Sequence, residues 1–98
     1  MSAPVIYLPE AQTDVDEIYA AYEQRAAGLG ERFLEQLQKC TATVSSNPLL
    51  YAVLRDNVRA ALLRKFPYVV YYRFEAGVVY ILAVLRGGRD PQVWMKRV

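Results

Sequence analysis

Beyond residue 8 the hydrophobic pattern of this chain changes its period once, at Asn47-Pro48. Before that point apolar residues return every three or four positions. After it they come in short runs rich in valine, tyrosine and leucine. The first pattern suits amphipathic helices and the second suits strands. Helices and later strands are thus segregated along the chain, which points to an α+β architecture rather than alternating βαβ units. The 98 residues (1–98) are expected to form a single domain.

Before the helices, Ala3 to Leu8 is a strand candidate centred on Val5, Ile6 and Tyr7. Pro9 can open a helix, because the first turn has no use for its missing N–H. Thr13 with Asp16 offers an alternative capping box one turn later. Ala11, Val15, Ile18, Tyr19, Tyr22 and Ala26 share one helical stripe, and Gly28 and Gly30 turn the chain. The second helix runs from about Gly30 to Asn47, with Phe33, Leu37, Cys40 and Val44 at helical spacing. Pro48 to about Asn57 reads as a loop. Val58–Arg64, Tyr68–Phe74 and Val78–Leu85 read as strands, the last two joined by a turn at Glu75-Ala76-Gly77. The expected order is β-α-α-β-β-β: an N-terminal strand, then an antiparallel helix hairpin packed on a small antiparallel sheet. The N-terminal strand is expected to lie beside one of the later strands.

Composition narrows the chemistry. The chain has no histidine. This removes histidine acid/base catalysis, histidine-activated nucleophiles and most zinc sites. No metal site, cofactor or catalytic residue is expected. Cys40 falls on an apolar helical stripe and reads as a buried structural thiol. The longest apolar run, Val78–Leu85, is strand-sized and too short to span a bilayer. Residues 1–9 lack the basic start of a secretory signal. No membrane association is expected, and the chain reads as cytoplasmic. Hydrophobic residues make up 54% of the chain, eight of them tyrosines. Two readings of that excess stay open: a tyrosine-rich core with wet hydroxyls, or an apolar patch kept for a partner.

Charge is divided unevenly. Residues 1–47 hold three cations against seven acids, a net of −4. Residues 48–98 hold nine cations against three acids, a net of +6. In the second half Arg55, Arg59, Arg64, Lys65, Arg73, Arg86, Arg89, Lys96 and Arg97 are interleaved with Tyr68, Tyr71, Tyr72 and Trp94. Arginine binds anions through a planar fork that stays charged, and neighbouring aromatics can stack on bases. A dedicated anion-binding face competes here with the plainer reading of a solubilised sheet. Gly87-Gly88 lets the chain leave the last strand, and Asp90-Pro91 fixes the turn. Trp94 is expected to anchor the segment that follows, leaving the arginines free. Removing the residues after Pro91 is expected to spare the fold.

In this order the residues resemble the RelE/ParE superfamily of toxins from bacterial toxin–antitoxin pairs. The likeness rests on Ala11, Val15-Asp16-Glu17-Ile18 and Tyr22, then Gly30, Phe33, Leu37 and Pro48. It continues through Val58-Arg59, Phe66-Pro67-Tyr68 and Tyr71-Tyr72-Arg73. It ends with Ala83-Val84-Leu85-Arg86, Arg89-Asp90-Pro91, Trp94 and Arg97. The Phe-Pro-Tyr strand and the Arg-Asp-Pro-x-x-Trp ending look like the ParE branch, whose members poison DNA gyrase and are not nucleases. RelE-like members cut messenger RNA in the ribosomal A site. They place an arginine on the third strand, where this chain has Val69-Val70, and end with a catalytic tyrosine, where this chain has Trp94. Many ParE-like sequences carry histidine at the position of Arg86.

The resemblance implies a toxin of a type II toxin–antitoxin system that binds gyrase and is neutralised by a cognate antitoxin. Arg59, Arg64, Arg86, Arg89, Trp94, Lys96 and Arg97 are the candidate target-binding residues. Tyr19, Tyr22, Phe33 and Leu37 are candidate antitoxin contacts, with core packing as the competing reading. The alternatives are a ribosome-dependent mRNA endonuclease acting through Arg59, Arg64, Lys65, Arg86 and Arg89, and a degenerate member that binds antitoxin but is harmless.

Overall fold

The computed structural model describes residues 2–98. Its elements are β1 (Val5–Tyr7), α1 (Pro9–Arg25), α2 (Leu29–Ser46), β2 (Val53–Arg55), β3 (Val58–Leu62), β4 (Tyr68–Glu75), β5 (Val78–Arg86) and α3 (Gln92–Met95). The expected helix hairpin on a sheet is present. The sheet has five strands in the order β1-β5-β4-β3-β2. Two features go beyond the expected order. β1 joins β5 in parallel, so the sheet is mixed. The segment expected to be a loop contains β2, which pairs antiparallel with β3. Asp56 and Asn57 join these two strands with φ of 51° and 62°. Both angles are those of a two-residue turn whose twist matches the strands it connects.

The helix hairpin closes on Glu23. Its carboxylate accepts the backbone N–H of Gly28 at 3.3 Å and of Gly30 at 2.7 Å. An acid from α1 thus caps the unsatisfied N-terminus of α2. Glycine at position 30 is what permits this approach. A Cβ there would stand 2.8 Å from both Glu23 Cγ and the Tyr19 ring.

Both faces of the sheet are covered. On one, Phe33, Leu37, Cys40 and Val44 of α2 and Ala11, Val15 and Tyr22 of α1 pack on Val70, Tyr72, Val79, Ile81 and Val84. Tyr22, Phe33, Phe66 and Tyr68 form edge-on and tilted ring pairs with centroids 5.2–6.2 Å apart. Such pairs add about 1 kcal/mol each beyond the area they bury. They hold the β3–β4 loop against the helix hairpin. On the other face α3 lays Trp94 flat on Tyr71, with ring centroids 5.2 Å apart and planes 18° from parallel. Val58, Val69, Leu82 and Leu85 complete that smaller cluster.

The outer edge of β5 poses a distinct problem. β1 accompanies it only from Val79 to Ile81, and the Leu8 N–H to Ile81 carbonyl bond ends the ladder. Beyond, the Val84 N–H and the Leu82 carbonyl face α1 rather than another strand. Asp14 Oδ2 accepts the Val84 N–H at 3.0 Å. Arg97 Nη1 donates to the Leu82 carbonyl at 3.2 Å. Arg97 and Asp14 then close on each other through a two-pronged pair at 2.6 and 3.2 Å, with Glu10 3.4 Å from Arg97 Nε. The two side chains replace the missing strand.

This clasp corrects one expectation. Residues after Pro91 are part of the fold, because they carry Trp94 and Arg97. Deleting them would bare Tyr71 and leave Asp14 half-buried without its cation. For the same reason Asp14→Ala should cost about 3 kcal/mol, since it leaves the Val84 N–H without its acceptor and takes from Arg97 its two-pronged partner, with only Glu10 and the Leu82 carbonyl remaining. Asp14→Asn keeps one acceptor and should cost less. Urea unfolding of the two variants against the parent checks the order.

Candidate functional site

β5 stops at Arg86 because the sheet ends there. Arg86 pairs with Tyr68 at the start of β4, and the Gly87 N–H donates to the Pro67 carbonyl at 2.8 Å. Gly88 then takes φ of 83°, a left-handed conformation that costs glycine nothing. The Arg89 N–H returns to the Arg86 carbonyl at 3.3 Å. Asp90 Oδ1 accepts the Gln92 N–H at 3.0 Å and starts α3. The turn is therefore bracketed by two arginines and pinned on both sides. Arg86 and Arg89 are exposed, and neither joins an ion pair among the described residues. They border a shallow cleft against α1, with Asp14, Glu17, Ile18 and Tyr68 on its other walls.

The seven candidate target-binding residues do not form one patch. Arg86 and Arg89 are exposed at the β5 end, and Lys96 is exposed at the C-terminus of α3. Trp94 is 5% exposed and stacked, so it positions this end without offering a surface. Arg97 is held by Asp14 and Glu10, and that hydrogen bonding raises its already high pKa. Arg59 lies on another part of the molecule, donating to the carbonyls of Leu49 and Tyr51. Arg64 stands in the β3–β4 loop beside Lys65 and faces Lys39 of α2. Lys39 was not singled out in the sequence, because one cation on a helix carries no signal until the loop is folded beside it. Of the four candidate antitoxin contacts, Tyr22, Phe33 and Leu37 are buried in the core. Tyr19 alone keeps a surface, and its hydroxyl donates to Glu31 at 2.9 Å.

The groups that could move protons are few. Burial raises the pKa of Tyr22, Tyr71 and Tyr72, which favours their protonated forms. Burial also pushes the Cys40 thiol up to about 11, so it is no nucleophile at neutral pH. Among the described residues no group of three or more histidine, cysteine, aspartate or glutamate side chains could hold a metal ion. No helix of the described residues is long and apolar enough to cross a membrane.

The sequence matches the family of the ParE toxin of the type II toxin–antitoxin system parDE over residues 5–91. The chain belongs to the ParE toxin family. Its fold is similar to that of a chain from the chromosomal ParDE system of P. aeruginosa, with a TM-score of 0.75 and 17% identity over 87% of this chain and 96% of that one. It is also similar to a double arginine-to-alanine mutant of E. coli toxin RelE in the free state. There the TM-score is 0.67 and the identity 20%, over 100% and 99% of the two chains. No curated protein matches the sequence. The comparisons support the superfamily resemblance read from the sequence, and the two neighbours share the fold on either side of its ParE and RelE branches.

In this ParE-family chain the third-strand positions noted above, Val69 and Val70, are 9% and 0% exposed, so neither belongs to an open charged surface.

The buried thiol of Cys40 and the partly buried phenol of Tyr7 make stability pH-dependent. Their folded pKa values, about 11 and about 12, lie above the ordinary 9.0 and 10.0. The unfolded chain therefore loses these protons first as pH rises. Their contribution is complete below pH 9.0 and drains away between there and about pH 12. Thermal unfolding across this range should show the decline, and Cys40→Val should move its onset upward, toward the ordinary tyrosine value.

Proposed function

We propose that this chain is the toxin of a toxin–antitoxin pair, that it inhibits DNA gyrase by binding, and that a cognate antitoxin neutralises it. Membership of the ParE family supports the toxin and the antitoxin partner. The observation that favours binding over catalysis is the state of the β5 end. Arg86 and Arg89 are exposed and unpaired on a turn held in place by Trp94 and Arg97. This is a fixed cationic surface suited to an anionic or acidic partner face, and it has no histidine to serve as a base.

Supercoiling of relaxed plasmid by gyrase tests the reading. The purified chain should block it, with cleaved DNA accumulating, and the antitoxin should relieve the block. Arg86→Ala with Arg89→Ala should weaken inhibition by about tenfold or more, while the unfolding midpoint stays near that of the parent. Full supercoiling at excess protein would overturn it. Codon-phased cuts in messenger RNA after induction would instead establish the nuclease reading, in which arginines stabilise charge on the phosphate.

A further inference from the structure

Helix α2 buries two polar side chains, Gln36 and Ser45. Ser45 donates to the Ala3 carbonyl. Gln36 is 9% exposed, yet its amide makes no hydrogen bond to the protein among the described residues. An amide taken this far from water without a partner is costly. It opens instead on two clefts between α2 and the β3–β4 loop. One, of about 540 Å³, is walled by Leu29, Arg32, Glu35, Lys65 and Phe66. The other, of about 570 Å³, is walled by Lys39, Arg64 and Lys65. Small-molecule sites occupy about 300–1,000 Å³. The two clefts meet at Gln36 and Lys65, which line both.

Four cations surround this amide: Arg32, Lys39, Arg64 and Lys65. None joins an ion pair among the described residues. Glu35 is the one acid on these walls. The backbone of Lys65 has φ of 68°. The other non-glycine residues with positive φ among those described, Asp56, Asn57 and Ala76, sit in two-residue hairpin turns that call for it. Lys65 is in no such turn. Its left-handed conformation is strained for a lysine, and it sets the residue where the clefts join.

We propose that the two clefts form one site for a nucleotide carrying a di- or triphosphate. Lys39, Arg64 and Lys65 take the phosphates, and the Gln36 amide donates to them. Leu29, Arg32 and Phe66 flank the nucleoside. Charge density decides the occupant. An extended acidic peptide presents carboxylates on one face only about every 7 Å, too sparsely for three cations around one amide. A nucleic-acid strand needs a continuous cationic track. Here the track is short: Glu35 stands at one end, and Tyr51 and Leu62 bound the other. A polyphosphate concentrates its charge within a single cleft. The site shares no lining residue with the cleft bordered by Arg86 and Arg89. The inference goes beyond the gyrase reading and does not rest on it.

The test titrates the full chain with ATP, AMP and inorganic triphosphate, following its amide resonances. ATP should bind saturably, shift the Gln36 side-chain amide and Lys65, and bind at least about tenfold more tightly than AMP. Inorganic triphosphate should compete but bind more weakly than ATP. Lys39→Glu with Lys65→Glu should weaken ATP by about tenfold or more. Arg55→Glu with Lys96→Glu, the same charge change away from the clefts, should not. Gln36→Met, which keeps the length and removes the amide, should also weaken ATP. If that variant does not fold, the lysine pair decides alone, since both lysines are exposed. Absence of saturable binding, equal affinity for ATP and AMP or for ATP and triphosphate, or equal loss in the two charge variants would overturn the inference. So would displacement of ATP by a lower concentration of oligothymidylate or polyglutamate, which would assign the clefts to a nucleic-acid strand or an acidic peptide. No gyrase is present in this titration, so its outcome and that of the supercoiling assay are read apart.

Discussion

A buried strand edge without a strand beside it is the constraint around which this fold is arranged. β1 is too short to accompany β5 to its end, and unpaired backbone groups under a helix are costly. Asp14 and Arg97 solve this with side chains, one accepting from Val84 and the other donating to Leu82. Their mutual pairing is incidental to neither. Each neutralises the charge that the other brings into a half-buried position. One clasp therefore joins α1, β5 and the segment after α3. It also holds still the turn that carries Arg86 and Arg89.

The same arrangement separates the cations by task. Arg97 and Arg59 are engaged with the body of the protein. Arg86 and Arg89 border one cleft, and Arg64, Lys65 and Lys39 another. Such division lets one small domain offer two charged surfaces with different neighbours. The first sits beside a glycine turn with few apolar groups. The second surrounds the buried Gln36 amide.

Much of this was legible in the sequence because it follows from periodicity. The stripe of Phe33, Leu37, Cys40 and Val44 marked the buried face of α2, and the run Val78–Leu85 marked the central strand. Gly28 and the Glu75–Gly77 turn fell where the backbone needs positive φ. β2 escaped because three exposed residues show no alternation. Its one signal was Asp56-Asn57, a pair that tolerates the left-handed turn. The parallel partner of β1 is a matter of topology, which local pattern does not encode. The clasp was also hidden. Asp14 is one acid among several on α1, and its partner lies 83 residues away. Charge counting assigned Arg97 to a binding surface because nothing in the local sequence marks a side chain as already engaged.

The distance between Asp14 and Arg97 along the chain has a temporal side. At translation rates of about 5–20 residues per second, Asp14 is synthesised roughly 4–17 s before the guanidinium that completes the sheet. During that interval the last strand cannot be sealed, and the turn bearing Arg86 and Arg89 has nothing to hold it. The protein therefore acquires its rigid cationic end only as synthesis of this region closes.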